Sequence, residues 1–242
     1  MSEDARATTV LLVGALLIRL SLSHAYARYV RVGMGWWLLA AGILLAVLGL
    51  AGVVRALTTR RPGPDPHGDH HDHHGDHRHD HHRHGERVGW LLLAPVLALL
   101  LVTPPALGSY GVDRNATVKV TSGGRTFSSL PAGRTVPMSL LEFDERAADH
   151  NGASMGTTPV RLTGFVAGTN DGGGFRLARY QIACCAADAV PAVVRVTGAA
   201  GDPPPRDRWV TVTGTFQRSA DGIPELRASS LAEIPAPRDP YE

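Results

Sequence analysis

The run Val160–Pro191, VRLTGFVAGTNDGGGFRLARYQIACCAADAVP, decides how the chain is read. Val160, Leu162 and Gly164 alternate with Arg161 and Thr163, the period of a half-buried strand. Phe175 to Ile182 is a second apolar-polar run, and Asp171-Gly172-Gly173-Gly174 between them is a hairpin signal. Its apolar phase moves from Phe175 and Leu177 to Tyr180 and Ile182, which predicts a bulge near Arg179. Two more cores repeat the pattern and also end in Gly: Val194-Arg195-Val196-Thr197-Gly198 and Val210-Thr211-Val212-Thr213-Gly214. Leu226–Ile234 closes the set. Short strands with bending glycines predict a small all-β, OB-like barrel over 158–236, followed by a Pro-rich tail at 237–242.

Upstream the composition is that of a membrane protein. Apolar runs at about 8–27, 33–54 and 88–107 predict three transmembrane helices, making 1–107 a membrane α-helical anchor. Pro95 should loosen the third, and Trp36, Trp37 and Trp90 sit near the ends as interfacial anchors. The first run also has a small-residue motif, Ala25-Tyr26-Ala27, of the signal-peptide kind. The acidic residues at its start and Arg19 inside it argue for a retained helix. Arg19 either snorkels to the interface or meets another membrane subunit.

The loop at 62–87 is dominated by His and Asp, and ten of the chain's twelve histidines lie in it. They are His67, His70, His71, His73, His74, His77, His79, His81, His82 and His84. With nothing apolar to bury, the loop is expected to be disordered without a ligand. Imidazole and carboxylate together are donors for Zn or another divalent transition metal, although irregular spacing specifies no rigid site. The same loop region carries Arg55, Arg60, Arg61, Arg78, Arg83 and Arg87, against Arg28 and Arg31 in the loop before it. The positive-inside rule then predicts a multi-pass protein of the cell membrane. Its N-terminus and His-rich loop are cytoplasmic and its C-terminal domain is extracytoplasmic. Residues 108–157 read as a connecting segment, with a short helix at Val136–His150 and a short strand at Ala116–Val120.

The net charge of +2 gives no case for nucleic acid, and the barrel region lacks a basic aromatic stripe. No Ser-His-Asp pattern, P-loop or HExxH occurs, and His150 stands without a second ligand nearby in sequence, so no residues support an enzyme. The chemistry-bearing residues are Cys184 and Cys185. Three readings stay open for them: small buried side chains, a thiol or soft-metal pair, or a vicinal disulfide. Continuing the phase of Tyr180 and Ile182 assigns Cys184 to the core and Cys185 to the surface. Arg176 and Arg179 are expected to pair with Asp188 and pin the strand end.

Several of these runs together resemble one family. Gly164-Phe165-Val166, Phe175-Arg176-Leu177-Ala178-Arg179-Tyr180, Cys184-Cys185-Ala186-Ala187-Asp188-Ala189, Trp209–Gly214, Pro240-Tyr241 and Pro105–Ser109 are similar to the YcgQ-type permease subunit family of bacteria. That resemblance implies N-terminal helices, a variable loop, a third helix and a C-terminal domain of unknown function. It implies as partner a multi-spanning YcgR-type permease in the lipid bilayer. The expected function is therefore an accessory permease subunit with a metal-binding loop. The alternative is a membrane-tethered extracytoplasmic module that binds a metal or cofactor alone. The strands here are shorter and richer in Gly and Ala than the family pattern.

Overall fold

The computed structural model describes residues 3–59, 98, 105–115, 126–170, 173–219 and 222–242. The predicted third helix at 88–107, except Ala98 and Pro105–Leu107, lies outside the described residues. So do the His-rich loop and the strand expected at Ala116–Val120. The chain divides into two compact units. One is Met1–Tyr26 with Gly33–Pro104; the other is Ala27–Val32 with Pro105–Glu242.

In the first unit, helix α1 (Glu3–Leu22) packs on helix α2 (Gly35–Thr59). The contact is made by small residues: a Cβ on Gly14 would come 2.5 Å from the Ala46 nitrogen, and one on Gly49 2.5 Å from the Leu11 nitrogen. Helices that lack a hydrophobic driving force between them associate through such close backbone approach. The remainder of α2 is apolar and outward-facing, with Ile43, Leu44, Val47, Leu48 and Leu50 all exposed. Val32–Thr58, of mean hydropathy 2.5, is the one stretch among the described residues long and apolar enough to cross a membrane. The expectation of three such helices is corrected to that extent. Helix α1 carries Glu3, Asp4, Arg6 and Arg19 among its 20 residues. It also begins and ends earlier than predicted, and Ala25–Arg28 is a 3-10 turn.

In the second unit, β2 (Val160–Thr169), β3 (Phe175–Gln181), β4 (Val190–Thr197), β5 (Trp209–Gln217) and β6 (Glu225–Glu233) form a closed five-stranded barrel. The order around it is β2-β3-β4-β6-β5 and back to β2. β4 and β6 pair in parallel and the other pairs are antiparallel, consistent with the OB-like barrel read from the strands. A short strand β1 (Val136–Pro137) runs parallel to the start of β2. Gly214 sits where the β5–β6 register shifts, and a Cβ there would collide with the Arg227 carbonyl. A glycine is needed for that bend.

The interior holds the alternate residues Val160, Leu162, Val166, Phe175, Leu177, Val194, Val196, Val210, Val212 and Leu226. Helix α4 (Leu140–Ala148) supplies Leu140 and Phe143 to the same core, with the Phe143 ring edge-on to Phe216 at 5.9 Å. The helix starts at Ser139, whose hydroxyl accepts the Glu142 N–H at 3.0 Å. Its buried Arg146 is satisfied by Glu142, the Ser128 carbonyl and the Ser154 hydroxyl.

A second cluster lies on the outer side of β2 and β3: Phe165, Ala167, Ala178, Tyr180 and Ile182. Helix α3 (Ser109–Asn115) covers it with Val112, and the C-terminal tail with Tyr241. This corrects the bulge expected near Arg179. The β3–β4 register is continuous from Phe175↔Val196 to Gln181↔Val190. The two apolar phases of β3 serve two cores, one on each side of the strand. The irregularity is in β2, between Val166 and Gly168.

Candidate functional site

β3 ends at Gln181, and the chain bends through Ala183, Cys184 and Cys185 into a 3-10 turn at Ala186–Asp188. Asp188 organises the bend. One carboxylate oxygen accepts the Ala183 N–H at 2.8 Å; the other accepts the N–H of Cys184 at 2.9 Å and of Cys185 at 3.1 Å. The Cys184 thiol donates to that second oxygen at 2.8 Å. These bonds stabilise the carboxylate, and its pKa is lowered to about 2, first through the thiol and then through the backbone N–H groups. The same contact pushes the Cys184 thiol up to about 11, because ionising it would place a second negative charge against Asp188.

Cys184 is exposed and Cys185 half-buried, and both are free thiols. The expected assignment of Cys184 to the core and Cys185 to the surface is therefore corrected. The alternation of β3 stops at Gln181, and the following residues wrap round a carboxylate instead of extending a pleat. Both sulfurs and the Asp188 carboxylate lie within 4.8 Å of one another. Among the described residues this is the one such grouping of three His, Cys, Asp or Glu side chains.

The segment Ala27–Val32 is laid against this bend. The Ala186 N–H donates to the Tyr29 carbonyl at 2.7 Å, and the Arg31 N–H to the Cys184 carbonyl at 3.1 Å. Val30 and Cys185 form an isolated antiparallel bridge. Tyr241 ties in from the tail: its hydroxyl donates to the Arg28 carbonyl at 2.8 Å and accepts the Leu107 N–H at 3.2 Å.

The predicted ion pairs with Asp188 are not formed. Arg176 bonds to Asp113 at 2.8 Å, and Arg206 also bonds to Asp113. Arg179 donates to the Asp239 carbonyl at 2.8 Å and faces the Glu242 carboxylate at 3.6 Å. Glu242 in turn accepts the N–H of Leu140 at 3.0 Å, at the start of α4. A cation near the strand end is thus used to hold the tail, while Asp188 is satisfied by backbone. Arg19 is exposed on α1, and His150 is exposed with its ring 2.6 Å from Asp149. All ten predicted histidine ligands lie outside the described residues. Sequence reading assigned no role to Tyr241, Glu242 or the Tyr29–Arg31 backbone, because backbone partners so far apart along the chain leave no periodic mark.

Residues 148–242 match the family described as the DUF1980 C-terminal domain. The match spans all five barrel strands and the Cys-Cys turn, and fits a chain ending in a domain of unknown function. No curated protein matches this chain.

Proposed function

We propose that this chain is an accessory subunit of a bacterial multi-spanning permease of the YcgR type, its helices in the bilayer and its barrel on the extracytoplasmic side. The observation that carries the reading is the filled outer face of β2 and β3. Small barrels of the OB type bind ligands on the face of their second and third strands, here β3 and β4, and β3 is part of the filled face. Here α3 and Tyr241 occupy it. The barrel therefore presents rims and turns, as a docking body does, in place of an open groove. The exposed apolar surface of α2 supplies the membrane contact. The hydrogen bonds between Tyr29–Arg31 and the cysteine turn support a reading in which that segment and the barrel share one side of the membrane. That is the arrangement the arginine count predicts. The His-rich loop then faces the cytoplasm and binds Zn or a similar divalent ion.

Purification of the tagged full chain in mild detergent tests the reading. A multi-spanning membrane protein should co-purify in fixed stoichiometry and be lost when α2 is exchanged for an unrelated transmembrane helix. Isolation of the chain alone, from cells that express the permease, would overturn it. The second reading, a tethered metal-binding module, is favoured by the grouping of Cys184, Cys185 and Asp188.

A further inference from the structure

We infer that Cys184, Cys185 and Asp188 form an exchangeable site for one thiophilic divalent cation of the Zn2+ class on the exposed turn after β3. The inference deepens the second reading and rests on it, and it holds whether or not a permease is bound. Two thiolates and a carboxylate are a zinc donor set, and soft sulfur selects against Mg2+ and Ca2+. With bond lengths of about 2.0 to 2.3 Å, ligand atoms round a tetrahedral Zn2+ are roughly 3.5 to 3.8 Å apart. The three donors already lie within 4.8 Å, so side-chain rotation at an exposed turn closes the gap.

The turn is held in advance. A carboxylate has about four lone-pair sites. On Asp188 one oxygen accepts the Ala183 N–H and the other accepts the N–H groups of Cys184 and Cys185, which fix its orientation. That second oxygen also accepts the Cys184 S–H, at 2.8 Å. That proton marks the place of the cation. Binding replaces S–H···O by S–M–O and removes one proton from each thiol. Two protons go to solvent, two metal–sulfur bonds and one metal–oxygen bond form, and nothing is oxidised or reduced. The bonds from Arg31 and to Tyr29 hold the backbone from the other side, so occupancy requires no main-chain movement. Three protein ligands leave a fourth position open, as in sites that exchange or act on what they bind.

The test is a Co2+ titration of the reduced, metal-free full chain in detergent. Thiolate ligands give Co2+ a near-ultraviolet charge-transfer band that imidazole and carboxylate ligands do not, so the His-rich loop is silent in this readout. One equivalent of band should appear, and Zn2+ should abolish it. Cys184→Ser and Cys185→Ser should each weaken it, and the double variant should lack it. Asp188→Asn should lower Co2+ affinity roughly tenfold or more, with the barrel's circular dichroism unchanged. No band in the reduced wild type, or a band that survives the double replacement, would overturn the site. Unchanged affinity in Asp188→Asn would remove Asp188 from it. Failure to co-purify with a permease would bear on the subunit reading and leave this result as it stands.

Discussion

Asp188 accepts four hydrogen bonds, three from peptide N–H groups and one from the Cys184 thiol. The last bond has a kinetic consequence. The thiolate is the nucleophile, and a thiol held at about 11 is mostly protonated at pH 8 despite its exposure. Replacing Asp188 by Asn should speed alkylation of Cys184 in the metal-free protein at pH 8 by roughly tenfold, read by mass spectrometry of the peptide. An unchanged rate would mean that the hydrogen bond does not control reactivity. Asp144 on α4 shows the opposite perturbation. Burial, and then the neighbouring Glu145 charge, raise its pKa from 3.8 to about 6. The folded state therefore favours the neutral acid. The stability it contributes is full below about pH 4 and is lost as pH rises through about 6. Asp144→Asn should raise the melting temperature at pH 7.5 and leave it little changed at pH 4. For a half-buried group the gain is on the order of 1 kcal/mol. Equal shifts at both pH values would show that ionisation is not the cause.

At the scale of elements, α4 belongs to the barrel. Its place between the membrane segments and the first long strand makes it look like connection, and its apolar periodicity is short. Yet Leu140 and Phe143 are fully buried among the strand residues. Phe143→Ala should destabilise the second unit by about 3 kcal/mol, the cost of a large core truncation. Denaturant unfolding of the full chain, followed by Trp209 fluorescence, measures it. A loss below about 1 kcal/mol would return the helix to the role of a linker. β3 carries a second lesson at this scale. Its pattern breaks the rule of one apolar face because both of its faces are covered, which a one-dimensional reading takes for a bulge.

Across the whole molecule, Tyr241 joins stretches far apart in sequence. Its hydroxyl meets Arg28 and Leu107, and its ring packs in the outer cluster. Tyr241→Phe keeps the ring and removes both bonds, leaving the Arg28 carbonyl and the Leu107 N–H without that partner. The expected cost is about 1 to 3 kcal/mol. Amide hydrogen exchange should locate it: Arg31, whose N–H bonds to the Cys184 carbonyl, should exchange faster in the variant. Protection at Arg31 equal to wild type would show that the tail does not hold the segment.

The barrel strands were legible because alternation is a local property. Val160–Gly164, Val194–Gly198 and Val210–Gly214 each state their own face, and glycine states where the chain bends. The apolar run of α2 is equally local, since length and hydropathy alone qualify it. What surrounds the cysteines was not legible. The sequence by itself placed two thiols and a carboxylate within five residues, Cys184 to Asp188. Only the tertiary structure decided that the strand stops before them, that the carboxylate turns back on the thiol, and that Tyr29–Arg31 and Tyr241 close round the turn. Those choices are made by backbone hydrogen bonds between distant residues. A peptide N–H or carbonyl is the same at every position, so no side-chain pattern records its partner.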